Sequence, residues 1–537
     1  MAWGAIARID FFPGAAPAQA KDEAVALRGA EPDNRIVRGG RGLRCAGCRR
    51  ERSRGMLPAR RSVTAIVPSS APSSAPLFPP AGGAGFPAFA FRRHSVDERP
   101  AAVSFGAAFL YWLRLGFVSF GGPAGQIAIM HHDLVQRRRW ISEKRFLHAL
   151  NYCMVLPGPE AQQLATYIGW LMHGTAGGIV AGALFVLPSL VVLVALSWIY
   201  LRFGHVPAVA GVLYGIKPAV TAIVLVAAWR IGTRALKHPL LVALAVAAFV
   251  AIFAFAVPFP AIVVGAAAAG AIGGRFVPTA FDGSGGHGGT RQSFGPALIA
   301  DDTPAPVHAR WSLGQALRVL VVFVAIWLAA MGGLVAWQGW HGTPTQMGWF
   351  FTKAALLTFG GAYAVLPYVF QGAVVHYQWL TTAQMIDGLA LGETTPGPLI
   401  MVVAFVGFVG GWSQQVLGPD MLFAGGLLAA ALVTFFTFLP SFLFILIGAP
   451  FIETTHGALR FTAPLAGITA AVVGVIANLA VFFAAHVFWP QGFGGRFDPA
   501  SAAICVAAIV ALWRFKVGVI PVIAACAAAG FALSALS

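Results

Sequence analysis

The sequence R-L-G-F-V-S-F-G-G-P at residues 114–123 indicates how the chain is organised, because its pattern occurs twice. A basic loop follows it as far as Trp140, and L-P-G-P at 156–159 closes the pattern. Adding 239 to each number gives the second copy without a gap. The matched pairs are Arg114 and Lys353, Ser119 and Thr358, Phe120-Gly121-Gly122 and Phe359-Gly360-Gly361, Trp140 and Trp379, and Pro157-Gly158-Pro159 and Pro396-Gly397-Pro398.

A later match needs an offset of 252, which sets Leu187-Pro188-Ser189 on Leu439-Pro440-Ser441. The step between the two offsets predicts an insertion in the second copy near residues 410–419. Chance matches would scatter over many offsets, so the pattern indicates an internal duplication.

The composition indicates an integral membrane protein. Hydrophobic residues make up 58% of the chain, charged residues 10%, and the mean hydropathy is +0.76. A soluble globular chain carries about 25% charged residues. Five cysteines in 537 residues exclude a disulfide scaffold.

The first 100 residues differ from the rest of the chain. They are rich in Arg, Pro, Gly, Ala and Ser without helical or strand period, which predicts a disordered basic extension. Cys45-x-x-Cys48 lacks two further zinc ligands nearby, so we expect no metal site. The N-terminus does not resemble a secretory signal, and a translation start at Met56 or later explains the extension equally well.

Thirteen apolar runs follow from residue 101 onward. They lie at 103–122, 146–174, 175–204, 206–232, 238–257, 259–276, 316–337, 348–371, 381–412, 420–451, 458–489, 498–515 and 517–536. We therefore predict a membrane repeat at 101–276, a glycine-rich linker with one extra transmembrane helix at 277–345, and a second repeat at 346–537.

Two runs in each repeat are interrupted by Phe-Gly-Gly or Pro-Gly-Pro. Irregular backbone at membrane depth is tolerated only where protein or a water-filled cavity covers it, so these runs are candidates for re-entrant hairpins. The alternative is that they are packing kinks within spanning helices.

Positive charge favours the hairpins, because loops rich in Lys and Arg face the cytoplasm. With both broken runs returning to the side they entered, one side receives the basic residues 137–139, 144, 145, 230, 234, 237, 460, 514 and 516. The second copy of the basic loop, at 376–384, has neither Lys nor Arg and falls on the other side. If every run crossed fully, the basic residues 230, 234 and 237 would move outside. The odd helix between the repeats leaves them inverted.

Inverted repeats with broken helices at matching positions are typical of transporters that bind substrate near the midplane between the repeats. Helices opening after Pro159 and Pro398 would point partial positive charge at an anion. Arg114, Lys353 and Lys217 lie within apolar runs, as do Glu160 and Glu393. Three cations against two carboxylates narrowly favour an anionic ligand. Snorkelling to the interface is the alternative for Arg114 and Lys353.

These motifs resemble the chromate transporter family. The resemblance rests on Phe-Gly-Gly-Pro-Ala-Gly at 120–125, Arg-Arg-Trp at 138–140, Leu-Pro-Gly-Pro at 156–159, Phe-x-Leu-Pro-Ser at 185–189, Phe-Gly-Gly at 359–361 and Thr-Pro-Gly-Pro at 395–398. It implies a bacterial inner-membrane, multi-pass protein of the long two-repeat kind that exports chromate and confers resistance to it. It does not cover residues 1–100.

The expected substrate-binding residues follow the motifs in both repeats. They are Arg114, Ser119, Phe120, Gly121, Gly122, Pro123, Gln126, Pro157, Gly158, Pro159, Lys353, Thr358, Phe359, Gly360, Gly361, Pro396, Gly397 and Pro398. Glu160, Lys217 and Glu393 are candidates for coupling or ion pairing.

Chromate and the lipid bilayer are the expected partners, with sulfate as a competitor. The sequence does not decide whether the chain forms a homodimer. No cofactor, metal or nucleic acid is expected. A channel or transporter for sulfate or another small anion is the alternative function, because sulfate has the same shape and charge. An enzyme is not expected, since neither H-E-x-x-H nor a Ser/His/Asp arrangement stands out.

A dianion leaving a cell whose interior is about 100 mV negative gains roughly 4.6 kcal/mol. We therefore predict efflux driven by the membrane potential, with at most modest coupling to protons.

Overall fold

Apolar runs that open on a serine, threonine or proline fold into helices here. Ser104 Oγ accepts a hydrogen bond from the Ala107 amide at 3.3 Å, and Thr381 and Gln384 form a capping box. Proline occupies the first turn at residues 207, 239 and 499, where its missing amide costs nothing.

The computed structural model describes residues 100–120, 122–281, 295–301, 303, 306–359, 361–454 and 462–536. The predicted N-terminal extension with Cys45-x-x-Cys48, the linker glycines, Arg460, Gly121 and Gly360 lie outside these residues. The described residues belong to one compact unit.

Helices of the first half and of the connection to the second follow in order. They are α1 (Phe105–Val118), α2 (Gly122–Met130), α3 (Glu143–Cys153), α4 (Glu160–Phe203), α5 (Pro207–Ala235), α6 (Pro239–Phe255), α7 (Phe259–Phe276), α8 (Pro278–Phe281) and α9 (Leu313–Gln338).

The second half repeats the pattern. Its helices are α10 (Thr343–Leu357), α11 (Ala362–Phe370), α12 (Thr382–Thr394), α13 (Val402–Ser413), α14 (Leu422–Thr454), α15 (Thr462–Phe488), α16 (Pro499–Trp513) and α17 (Val519–Leu536). The predicted all-helical, two-repeat architecture is confirmed.

The halves match in small deviations as well as in helix order. Helices α2 and α11 both continue into π-helical turns, at His131–Arg137 and Gln371–His376. Arg139 and Gln378, which are 239 residues apart, both have a positive φ, of 53° and 52°. Unrelated folds would not share such irregularities, so the backbone itself shows that the two halves arose by duplication.

The predicted insertion also has a structural counterpart. In the first half, α4 turns sharply at His173 and Gly174, whose backbone angles are not helical. The corresponding helices of the second half, α13 and α14, are separated by residues 414–421.

Within the described residues, six helical segments are long and apolar enough to span a membrane. They are Glu160–Phe203, Pro207–Ala235, Phe259–Phe276, Leu313–Gln338, Pro419–Glu453 and Ala463–Phe488. The helices α1, α3, α10, α12 and α13 are only 11 to 15 residues long. At 1.5 Å per residue, none crosses a hydrocarbon core of about 30 Å alone.

The first hairpin of the first half returns to the end at which it enters. After α2, the Arg138 guanidinium lies 4.8 Å from the ring centroid of Tyr111 in α1. The next hairpin also returns there, because His173, after the first leg of α4, bonds the Val103 carbonyl before α1 at 2.9 Å. We call this the arginine-rich end, after the loop at 137–145.

The linker lies at this same end. The Ile299 amide donates to the Trp140 carbonyl at 3.0 Å, and His308 bonds the Trp170 carbonyl at 3.0 Å. The Arg230 guanidinium, near the end of α5, donates to the Leu512 carbonyl at 3.2 Å, which places the ends of α5 and α16 side by side.

The second half enters from the opposite end. Gly410 near the end of α13 packs within 3.1 Å of Trp379, and within 2.6 Å of Met347 near the start of α10, measured from a Cβ built on the glycine. Both hairpins of this half therefore return to the end reached by α9. The two halves are inverted, as the odd number of helices between the repeats predicts.

Candidate substrate site

Two backbone hydrogen bonds join the halves where the four hairpins meet. The Gly158 amide donates to the Thr358 carbonyl at 2.7 Å, and the Gly397 amide donates to the Ser119 carbonyl at 2.8 Å. The offset of 239 converts one bond into the other, so a pseudo-two-fold axis relates them. We call this place the junction.

Glycine is required at both positions. Gly158 has a φ of +127° and Gly397 of +99°, where an L side chain is strained. A Cβ on Gly158 would lie 2.4 Å from Ser441 Oγ, and one on Gly397 would lie 2.6 Å from Ser189 Cβ. The two serines are themselves matched by the offset of 252.

The Phe-Gly-Gly motifs break the helices on the other side of the junction. Helix α1 ends at Val118 and α2 begins at Gly122, while α10 ends at Leu357 and α11 begins at Ala362. Phe120, Phe359 and Pro123 are half-buried beside these breaks.

Several buried polar groups at the junction come from the first half. Gln126 Nε2 donates to the carbonyls of Gly397 at 2.5 Å and Ser119 at 3.3 Å. Gln163 Nε2 donates to the Pro157 carbonyl at 2.8 Å. Their counterparts at 365 and 402 are both valine.

Four buried side-chain oxygens here have no hydrogen-bond partner among the described residues. They are Ser119 Oγ, Ser189 Oγ, Gln126 Oε1 and Gln163 Oε1. A buried polar atom without a partner costs about 1–3 kcal/mol, so such a group commonly has a ligand or water to bind. The two hydroxyls can donate to an anion.

Helix ends add a favourable potential. Helix α4 starts at Glu160, directly after Pro157-Gly158-Pro159, and a 3₁₀ turn at Leu399–Met401 leads into α13 after Pro396-Gly397-Pro398. Both run outward from the junction, so their amino ends point at it. An anion is stabilised at such ends.

Arg114 and Lys353 do not join this cluster. Arg114 is exposed and shares one face of α1 with Leu110, 66% exposed, and Phe117, 52% exposed. Lys353 is half-buried, with Nζ 5.5 Å from the ring centroid of Trp349. Arg114 is therefore directed away from the buried polar groups of the junction, and the cluster described above is built without either cation.

Lys217, a candidate for ion pairing, pairs with Asp387, a residue that the sequence-based prediction missed. Its Nζ lies 3.3 Å from Asp387 Oδ1, and the Tyr200 hydroxyl donates to Asp387 Oδ2 at 2.9 Å. The signal was present, because Asp387 is an acidic residue inside a predicted apolar run.

The two glutamates are placed differently. Glu160 is half-buried at the start of α4, and Glu393 is half-buried and accepts a hydrogen bond from the Tyr363 hydroxyl at 2.7 Å. Neither pairs with a cation within the described part of the chain.

A metal centre receives no support. Across the described ranges, no group of three or more His, Cys, Asp or Glu side chains is placed to hold a metal ion. Cys153, Cys505 and Cys526 are free and buried, as expected for small apolar side chains in a core.

Comparison with known proteins gives consistent matches over both halves. A chromate transport protein of Pseudomonas aeruginosa is 32% identical over 450 residues, covering 81% of this chain and 94% of that protein. One of Cupriavidus metallidurans is 28% identical over 407 residues, covering 76% and 87%. An uncharacterized transporter of Methanocaldococcus jannaschii is 23% identical over 404 residues, covering 74% and 89%.

No solved structure matches the chain. The family model described as chromate transporter matches residues 106–271 and 345–531, one range in each half of the chain. The chain therefore belongs to the chromate transporter family.

Proposed function

We propose that this protein exports chromate across the bacterial inner membrane and thereby gives resistance to chromate. The junction carries the proposal. There, two inverted halves bring glycine backbone, the amino ends of α4 and α13, and the buried hydroxyls of Ser119 and Ser189 to one place. The identity of the substrate is proposed from the relatives, which are named chromate transport proteins.

The proposed site consists of motif residues and does not include Arg114 or Lys353. Ser119, Thr358 and the glycines 158 and 397 surround the anion in this proposal, and Gln126 holds the crossing backbone in place. The hydroxyls of Ser189 and Ser441 extend the site. A tetrahedral dianion needs several donors at once, and hydroxyls beside helix amino ends provide them without a fixed positive charge.

The arginine-rich end faces the cytoplasm in this proposal. The basic residues at 137–139, 144, 145, 230, 234 and 237 then follow the positive-inside rule, and the opposite end opens to the periplasm.

Export is the favoured direction on energetic grounds. A potential of about 100 mV, negative inside, drives a dianion outward with roughly 4.6 kcal/mol. Uptake would need at least two co-transported protons or cations to offset this. Glu160 and Glu393 are the acidic candidates beside the motifs, so proton coupling is modest at most.

Chromate flux into inverted membrane vesicles tests the proposal, with vesicles lacking the protein as control. We expect uptake that rises with an imposed inside-positive potential. Excess sulfate is added in a second arm, and slower chromate uptake there would show that sulfate shares the site. Flux that follows a pH gradient, ignores the potential and is abolished in the double variant E160Q/E393Q would establish obligatory proton coupling instead. Absence of chromate flux would overturn the proposed function.

A further inference from the structure

A cavity of about 360 Å³ opens at the opposite end of the bundle. Its polar lining includes Tyr200, His205, Lys217, Gln384 and Asp387. Cavities that bind small molecules measure about 300–1,000 Å³, so this one is large enough for a small oxyanion and its water.

The duplication explains why the cavity is at this end. At the arginine-rich end, Arg145 lies 3.6 Å from Glu453, and both side chains are largely buried. The offsets of 239 and 252 map this pair onto Gln384 and Leu201, which line the cavity instead. Equivalent positions of the two halves thus hold an ion pair at one end and line a cavity at the other.

Lys217 lines this cavity, and its counterpart in the second half, residue 469, is threonine. The lysine is therefore specific to the first half and is not a shared feature of the duplicated fold. Its side chain is 31% exposed to the cavity while Asp387 is 5% exposed. An ammonium group has three donors, and Asp387 is its one ion-pair partner within the described residues. The remaining donors can reach a ligand.

We infer that this cavity is an outer binding site for the transported oxyanion, in which Lys217 binds either Asp387 or the anion. The inference rests on the proposed function and extends it to a second site. An anion leaving the junction toward this end meets Lys217, and the Asp387 carboxylate competes with it for the ammonium.

The exchange has a mechanical consequence. Lys217 lies on α5 of the first half and Asp387 on α12 of the second, so their ion pair ties the halves together. When the anion takes Lys217, this ion pair is lost, and the hydrogen bond from Tyr200 of α4 to Asp387 remains as a second link between the halves. Arrival of the anion then removes one of the two links that Asp387 makes to the first half among the described side chains.

Acylation of Lys217 by an amine-reactive ester tests the outer site directly. The full chain is held in lipid nanodiscs, reacted with and without chromate, and analysed by peptide mass spectrometry. We expect saturating chromate to slow acylation of Lys217 about fivefold and to leave the exposed Lys516 unchanged. Equal rates at Lys217 with and without chromate would overturn the inference.

Two variants of opposite sign separate direct binding from a distant conformational effect. D387N removes the competitor, so the chromate concentration giving half protection should fall about tenfold. Y200F removes a hydrogen bond from Asp387, strengthens its hold on Lys217, and should raise that concentration. Shifts in the same direction, or no shift in either, would refute the competition.

Chromate flux measured on the same preparation in proteoliposomes distinguishes the two proposals. Flux without protection of Lys217 refutes the outer site and leaves transport standing. Absence of flux refutes the proposed function itself.

Discussion

The first and second halves share a backbone but not a set of polar side chains. The crossed hydrogen bonds from Gly158 and Gly397 are equivalent, with lengths of 2.7 and 2.8 Å. Yet Gln126 and Gln163 face the junction from the first half, where the second half has valine. Duplication therefore built the symmetric crossing, and later divergence left most of the hydrogen-bonding chemistry on one side.

The largest expected effect comes from the part the halves share. In G158A and in G397A, the new methyl group meets a serine of the other half, and the positive φ adds about 1–2 kcal/mol of strain. We expect chromate flux in proteoliposomes to fall at least about tenfold in both variants. G106A is the control, because nothing lies within 4 Å of a Cβ there. Flux above half of normal in either variant would show that the two glycine crossings are not equally required for transport.

A smaller effect should come from the part the halves do not share. Q126V gives the first half the residue of the second and leaves the Gly397 carbonyl without its side-chain donor. Losing a buried partner costs about 1–3 kcal/mol, so we expect chromate flux to fall about fivefold to tenfold. Q491V, at an exposed loop position, should change nothing. If Q126V transports normally, the difference between glutamine in the first half and valine in the second does not matter for transport.

The smallest effect should come from the matched cations. R114Q and K353Q alter side chains outside the junction, so we expect each to change chromate flux by less than about twofold. The sequence placed both residues among the expected substrate-binding residues, which predicts weaker anion transport in both variants. A fivefold loss in these variants, with normal membrane insertion, would return the two cations to the site.

Much of the architecture was predictable because glycine and proline mark the backbone locally. Phe-Gly-Gly and Pro-Gly-Pro fix where helices stop, and the basic loops distinguish hairpins from full crossings. Both signals act over a few residues, so they can be read directly from the sequence.

Side-chain placement was harder to predict because it depends on neighbours far away in the chain. The ion pair of Lys217 with Asp387 joins residues 170 positions apart, and no spacing rule links α5 to α12. The exposed face of Arg114 was ambiguous for a similar reason. Apolar neighbours such as Leu110 and Phe117 can face either lipid or protein in a membrane helix.

In the proposed function, the anion binds at the junction between the inverted halves. A density map of the purified protein in lipid nanodiscs with chromate tests it most directly. We expect a tetrahedral anion within about 4 Å of the hydroxyl of Ser119 or Ser189, beside the amino ends of α4 and α13. An empty junction, with chromate bound at Arg114 or Lys353 instead, would contradict it.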